Sequence, residues 1–101
     1  MNTIEVTFVR IYLTEEKGKQ HALLERLHDE EKVRGVTVFR GISGFGKSGH
    51  VHSSSLLDMS LDLPVIIEFF DEPDKATLIL EHLSTVIEPG HMVSWSARLH
   101  I

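Results

Sequence analysis

The chain has 101 residues, with 10 lysines and arginines against 15 aspartates and glutamates, and a formal net charge of −5. This acidic balance argues against nucleic acid or an anionic membrane surface as the main partner, because both require a basic field. The chain has no cysteine, which excludes a disulfide framework, a thiol nucleophile and a cysteine zinc site. Its length predicts one domain, residues 1–101, whose small core would gain from oligomerisation.

The N-terminal stretch does not resemble a targeting or membrane segment. Glu5 and Arg10 interrupt its apolar residues, and no apolar run reaches the roughly 20 residues that span a bilayer. We therefore expect a cytoplasmic protein.

The first half of the chain predicts a strand, a helix and a second strand. β-Branched and aromatic residues alternate from Ile4 to Leu13, which is apolar on both faces. Leucines at helical spacing, with the stem of Lys32, predict a helix over Gly18–Arg34 that ends in a left-handed turn at Gly35. Val36–Ile42 has the composition of a second strand.

The second half predicts a strand, a helix and a final strand. Leu63–Phe70 is strongly apolar, and Pro73 in the following turn marks a helix start. An apolar stripe then continues to the stop at Glu88–Gly90, through Ala76, Ile79, Leu80, Leu83, Val86 and Ile87. Met92–Ile101 alternates between two faces, as expected of a strand.

This β-α-β-β-α-β order predicts an α+β fold, a ferredoxin-like arrangement. It has an antiparallel four-stranded sheet, both helices on one face, and a long loop between strands 2 and 3. Because the first and third strands are apolar on both faces, the helix-free face is expected to bind a partner, and we predict a homo-oligomer through the sheet.

The segment Arg40–His52 contains the densest set of functional candidates. Gly41–Ser48 matches the phosphate-binding pattern G-x-x-x-x-G-K-[ST], which forms a P-loop only where a helix follows it. Here Gly49, Val51 and three serines follow, which are poor residues for a first helical turn. The pattern therefore does not predict a P-loop ATPase.

Two segments resemble the PII-like signalling proteins and, among them, the DUF190 family. RGVTVFRGISGFGKSGH resembles the PII strand and the glycine-rich base of its long T-loop, and LDLPVIIEFFD resembles the third strand with its glutamate. The resemblance covers nearly the whole chain. It implies a homotrimer that binds an adenine nucleotide in the clefts between subunits and is not an enzyme. It also implies signalling through the loop 43–60 to a partner such as a membrane channel or transporter.

The resemblance also implies a set of nucleotide-binding residues. Thr37 and Glu68 correspond to positions that meet the adenine base, and the glycine-rich segment to those around ribose and phosphate. The full predicted set is Thr37, Arg40, Gly44, Phe45, Gly46, Lys47, Glu68 and Arg98.

The connection before the last strand departs from the PII pattern. It consists only of Glu88–His91, whereas PII proteins have a longer turn rich in glycine and lysine. The shorter turn offers fewer hydrogen-bond donors to phosphate, which favours AMP or ADP over a triphosphate. Arg98 and His91 of a neighbouring subunit are expected to assist in binding. No cofactor is predicted apart from this effector.

Several of these residues have simpler interpretations. Lys47 could belong to a solvated loop, and His50 and His52 are expected to be surface histidines rather than metal ligands, because no third ligand lies near them. Glu68 either lies at a sheet edge or is a buried carboxylate that binds a ligand. We favour the second interpretation, because an unpaired buried charge is costly. Arg10 and Tyr12 are interpreted as interface residues, and Trp95 as packing.

Two other functions remain open. The first is a small nucleotide or phosphoester hydrolase in which Lys47 stabilises phosphate charge and His50 or His52 is the general base. The second is a purely structural oligomer or a metal-loop protein, which would have no nucleotide affinity and, in the metal version, would be stabilised by zinc.

Overall fold

The computed structural model describes residues 1–14, 19–45, 52–53 and 63–101. The main sheet contains β1 (Thr3–Thr14), β2 (Val36–Arg40), β5 (Pro64–Asp71) and β6 (Met92–His100), in the order β2-β5-β1-β6. The neighbouring strands are antiparallel throughout this sheet. A separate two-stranded ribbon pairs β3 (Ser43–Gly44) with β4 (His52–Ser53).

Two helical segments cover one face of the sheet. They are α1 (Lys19–Glu25), which continues as a π-helical turn over Arg26–Glu30, and α2 (Pro73–Leu83). Both contribute to one apolar core together with the side chains of β1 and β5 that point toward them. The core residues are Val9, Ile11, Leu23, Leu27, Val65, Ile67, Phe69, Ala76, Ile79 and Leu83. The predicted α+β, ferredoxin-like fold is confirmed.

The first helix ends earlier than the periodicity predicted. The backbone N–H of Glu31 donates to the carbonyl of Arg26 at 2.9 Å, an i→i−5 bond, so the last turn is widened and the helix does not reach Arg34. The left-handed residue is Lys32, with φ 53°, and Gly35 is not in the left-handed region. Nζ of Lys75 lies 2.6 Å from the carbonyl oxygen of Lys32 and so anchors this turn to α2.

The second helix also ends early, at Leu83 rather than near Glu88. The hydroxyls of Ser84 and Thr85 donate to the carbonyls of Glu81 and His82 at 2.6 and 2.8 Å. Such side-chain bonds compete with the helical ladder and favour its end. Ile87 still packs against the core, whereas Val86 is exposed.

The limits of the four predicted strands differ from the observed ones by at most two residues. β2 ends at Arg40, and the N–H of Gly41 still donates to the carbonyl of Pro64 at 2.7 Å, in register with the preceding pairs. The alternation predicted for β1 is confirmed: Val9 and Ile11 are buried toward the helices, and Phe8 lies on the helix-free face. No helix in the described segments is long and apolar enough to cross a membrane.

Candidate functional site

Three polar residues from three strands form one row on the helix-free face. Thr37 of β2 is paired with Glu68 of β5, and Glu68 is paired with Arg10 of β1. Directly paired residues of antiparallel strands project to the same face, so the three side chains are neighbours. The apolar core lies on the opposite face of the sheet, so these three residues are not part of the core.

Arg10 and Glu68 form an ion pair within this row. Nη2 of Arg10 lies 3.1 Å from Oε2 of Glu68, and the side chain of Glu68 is only 13% exposed. Hydrogen bonding to Tyr12 and to Glu68 raises the pKa of Arg10 above its ordinary value. Arg10 consequently keeps its full positive charge beside Glu68 over the physiological pH range.

Aromatic rings surround the ion pair. The rings of Phe8 and Trp95 are stacked with centroids 5.3 Å apart, and the guanidinium of Arg10 lies 5.3 Å from the Trp95 ring. Phe70 contacts Phe8 from the other side, with centroids 5.1 Å apart. A cation held over an aromatic face in this way is attracted by the ring quadrupole. Trp95 thus helps to fix the position of Arg10.

A pocket of about 390 Å³ opens beside the row, near the β2 edge of the sheet. Thr37 supplies a hydroxyl and Glu68 a carboxylate, while the remaining side chains of the wall are apolar. The lining residues are Phe8, Gly35, Val36, Thr37, Phe39, Glu68, Phe69 and Phe70. An apolar wall with a few convergent polar groups is typical of a site for a small planar ligand.

The structure brings together two of the predicted binding residues, Thr37 and Glu68, and separates two others from them. Arg40 is paired with Val65 and so projects to the helix side of β2, opposite to Thr37. Arg98 is paired with Glu5 near the far edge of the sheet, also on the helix side. Within one chain these two arginines do not line the pocket.

The glycine-rich segment is described in part. Gly44 belongs to β3, where it is paired with His52, and Phe45 is 76% exposed. Gly46, Lys47 and His50 lie outside the described residues. His52–Ser53, which lie beyond the end of the P-loop pattern at Ser48, form strand β4.

The sequence predicts Arg10 as an interface residue, and the structure places it beside Glu68. The pairing of an arginine in one apolar strand with a glutamate in another becomes evident only once the strand register is known. No group of three histidine, aspartate or glutamate side chains that could hold a metal is present in the described segments.

Comparison with known proteins gives both a family and a fold. The family model of DUF190, "Uncharacterized ACR, COG1993", matches residues 6–99. A "UPF0166 protein" of Aquifex aeolicus (strain VF5) is 34% identical over 88 residues, which cover 82% of this chain and 83% of that protein.

Solved structures of CPII, a nitrogen regulatory PII-like protein from Thiomonas intermedia K12, share the fold. The structure with ADP, AMP and bicarbonate has a TM-score of 0.68 and 20% identity, covering 99% of this chain and 91% of that one. The structure with ADP and bicarbonate has a TM-score of 0.67 and 19% identity, with the same coverage.

Proposed function

Because the chain belongs to the DUF190 family, we propose that it is a PII-like regulatory protein whose effector is an adenine nucleotide, AMP or ADP. The pocket at Thr37 and Glu68 is the observation that carries this proposal. Its phenylalanine rings suit the faces of a purine, and its hydroxyl and carboxylate suit the polar edge of the base. The nucleotides bound to CPII, which has the same fold, support the same ligand class.

We place the phosphate-binding part of the site on the glycine-rich segment. Gly44 lies in β3, shortly after β2 ends, and Lys47 would supply a cation for phosphate. Phe45 and Gly46 complete the proposed set on the same chain, whereas Arg40 projects to the helix side of β2 and is left out of it. Arg98 and His91, which lie at opposite ends of β6, would come from neighbouring copies.

The proposed assembly is a homotrimer that buries the helix-free face of the sheet. This face exposes large apolar side chains, among them Phe39 and Trp95. Exposed apolar surface on this scale is typical of a face that binds another protein surface.

The signalling half of the proposal concerns the loop 43–60. The nucleotide would change the conformation of this loop, and the loop would bind a protein partner such as a membrane channel or transporter from the cytoplasm. A ligand shifts such an equilibrium only by its differential affinity for the two states. Limited proteolysis of this loop with and without nucleotide therefore tests this half.

Calorimetric titration with AMP, ADP, ATP and cyclic dinucleotides tests the binding half. We expect micromolar affinity for AMP or ADP that is lost in Lys47→Ala and in Glu68→Ala. Leu78→Ala is the matched control, because Leu78 is an exposed residue of α2. If none of the nucleotides produces a heat of binding, the protein does not function by binding a nucleotide.

The function as proposed is regulatory and does not include catalysis. We expect no phosphate release under saturating nucleotide and magnesium. Steady release that depends on Lys47 would instead favour a hydrolase.

A further inference from the structure

Glu68 is the polar group of the pocket whose chemistry can distinguish one purine from another. An ionised carboxylate accepts hydrogen bonds and cannot donate them. It therefore suits the 6-amino group of adenine and repels the 6-oxo group of guanine or hypoxanthine. A protonated carboxyl group would lose this distinction, because it can also donate.

Arg10 lies outside the pocket wall and is paired with the Glu68 carboxylate. It does not line the pocket, but its Nη2 lies 3.1 Å from Oε2 of Glu68. Trp95 on one side and Glu68 on the other hold the guanidinium in the sheet face. Among the described residues Arg10 bonds only Oε2 of Glu68, and Oε1 is the oxygen proposed to face the ligand.

We propose that Arg10 is a positioning residue that sets the base selectivity of the pocket, by holding Glu68 as an acceptor-only carboxylate. This inference rests on the proposed nucleotide function. The site then binds purines with a 6-amino group and rejects those with a 6-oxo group. Loss of Arg10 leaves a carboxylate with little exposure and no counter-charge, so that its orientation toward the ligand is no longer fixed.

The test compares ADP with IDP, which carries a 6-oxo group and the same ribose and phosphates. We expect wild-type protein to bind ADP at least about tenfold more tightly than IDP, since a hydrogen bond to a charged group is at stake. In Arg10→Gln the ratio of the two dissociation constants should fall at least about threefold. Arg10→Lys should retain the wild-type ratio, because it retains the charge.

Arg34→Gln is the matched control. The guanidinium of Arg34 lies 5.9 Å from the Phe70 ring, so this change removes a nearby positive charge without touching Glu68. Its ADP to IDP ratio should equal that of wild type. A loss of selectivity there as large as in Arg10→Gln would overturn the assignment to Arg10.

Glu68→Gln keeps the test valid if Arg10→Gln does not fold. Its amide both donates and accepts, so its ADP to IDP ratio should approach one. An unchanged ratio in Glu68→Gln, or a wild-type protein that binds both nucleotides equally, overturns the inference while the nucleotide function stands. A wild-type protein that binds neither nucleotide overturns both.

Discussion

Gly44 lies against the ring of Pro64, so that a β-carbon at position 44 would be 2.9 Å from Cγ of Pro64. This approach brings the base of the glycine-rich segment close to the start of β5. Since the proline ring cannot rotate away, a larger residue at 44 must displace the backbone.

We predict that Gly44→Ala lowers the free energy of unfolding by about 1–3 kcal/mol, the usual cost of overpacking. Gly35→Ala is the matched control, because a β-carbon there meets nothing within 4 Å and its φ is not left-handed. It should be neutral or stabilising by up to about 1 kcal/mol. Urea denaturation measures both, and equal losses in the two variants would contradict the steric argument.

The core between the helices and the sheet is expected to be sensitive to truncation. Leu27 is fully buried in the π-helical turn, so Leu27→Ala should cost about 2–5 kcal/mol through lost burial and the remaining cavity. Leu78→Ala, at a position 51% exposed, should change stability by no more than about 0.5 kcal/mol. Thermal or urea unfolding compares the two, and a small loss in Leu27→Ala would argue against this packing.

Asp71 should stabilise the start of α2 through its carboxylate. Its Oδ1 accepts from the backbone N–H of Glu72 at 2.8 Å, and its Oδ2 lies 3.1 Å from Nζ of Lys75. Because the side chain is buried, Asp71→Ala should cost about 1–3 kcal/mol. The exposed Asp74 in the first turn of α2 provides the control variant Asp74→Ala. If the two changes have the same effect on urea unfolding, the buried bonds of Asp71 do not stabilise the helix.

A single introduced charge can test whether the helix-free face is the assembly surface. Trp95 is 38% exposed beside Arg10, and Trp95→Asp would place a carboxylate among apolar side chains of the proposed interface. We expect light scattering after size exclusion to show loss of the trimer mass. Leu78→Asp introduces the same charge on α2 and should leave the mass unchanged. Retention of the trimer by Trp95→Asp would place the interface elsewhere.

The order of elements and the two faces of β1 and β6 could be predicted from the sequence, because strand alternation is a local property. The same alternation places Thr37 and Arg40 on opposite faces of β2, although the family resemblance assigns both to one binding site. The left-handed turn at Lys32 could not be predicted, since it is accompanied by a bond from Lys75, 43 residues away. The Arg10–Glu68 pair likewise depends on the register of strands 58 residues apart in the chain.

The same ion pair also bears on how β5 finds its alignment during folding. Val65, Ile67 and Phe69 lie on the core face of this strand, and Ile66 and Phe70 on the other, so hydrophobicity alone hardly distinguishes the two. A shift by one residue would exchange the faces and place Glu68 in the apolar core without Arg10. Burial of that unpaired charge would penalise the shifted alignment heavily. One glutamate thus excludes a misfolded sheet that the apolar pattern of the strand would otherwise tolerate.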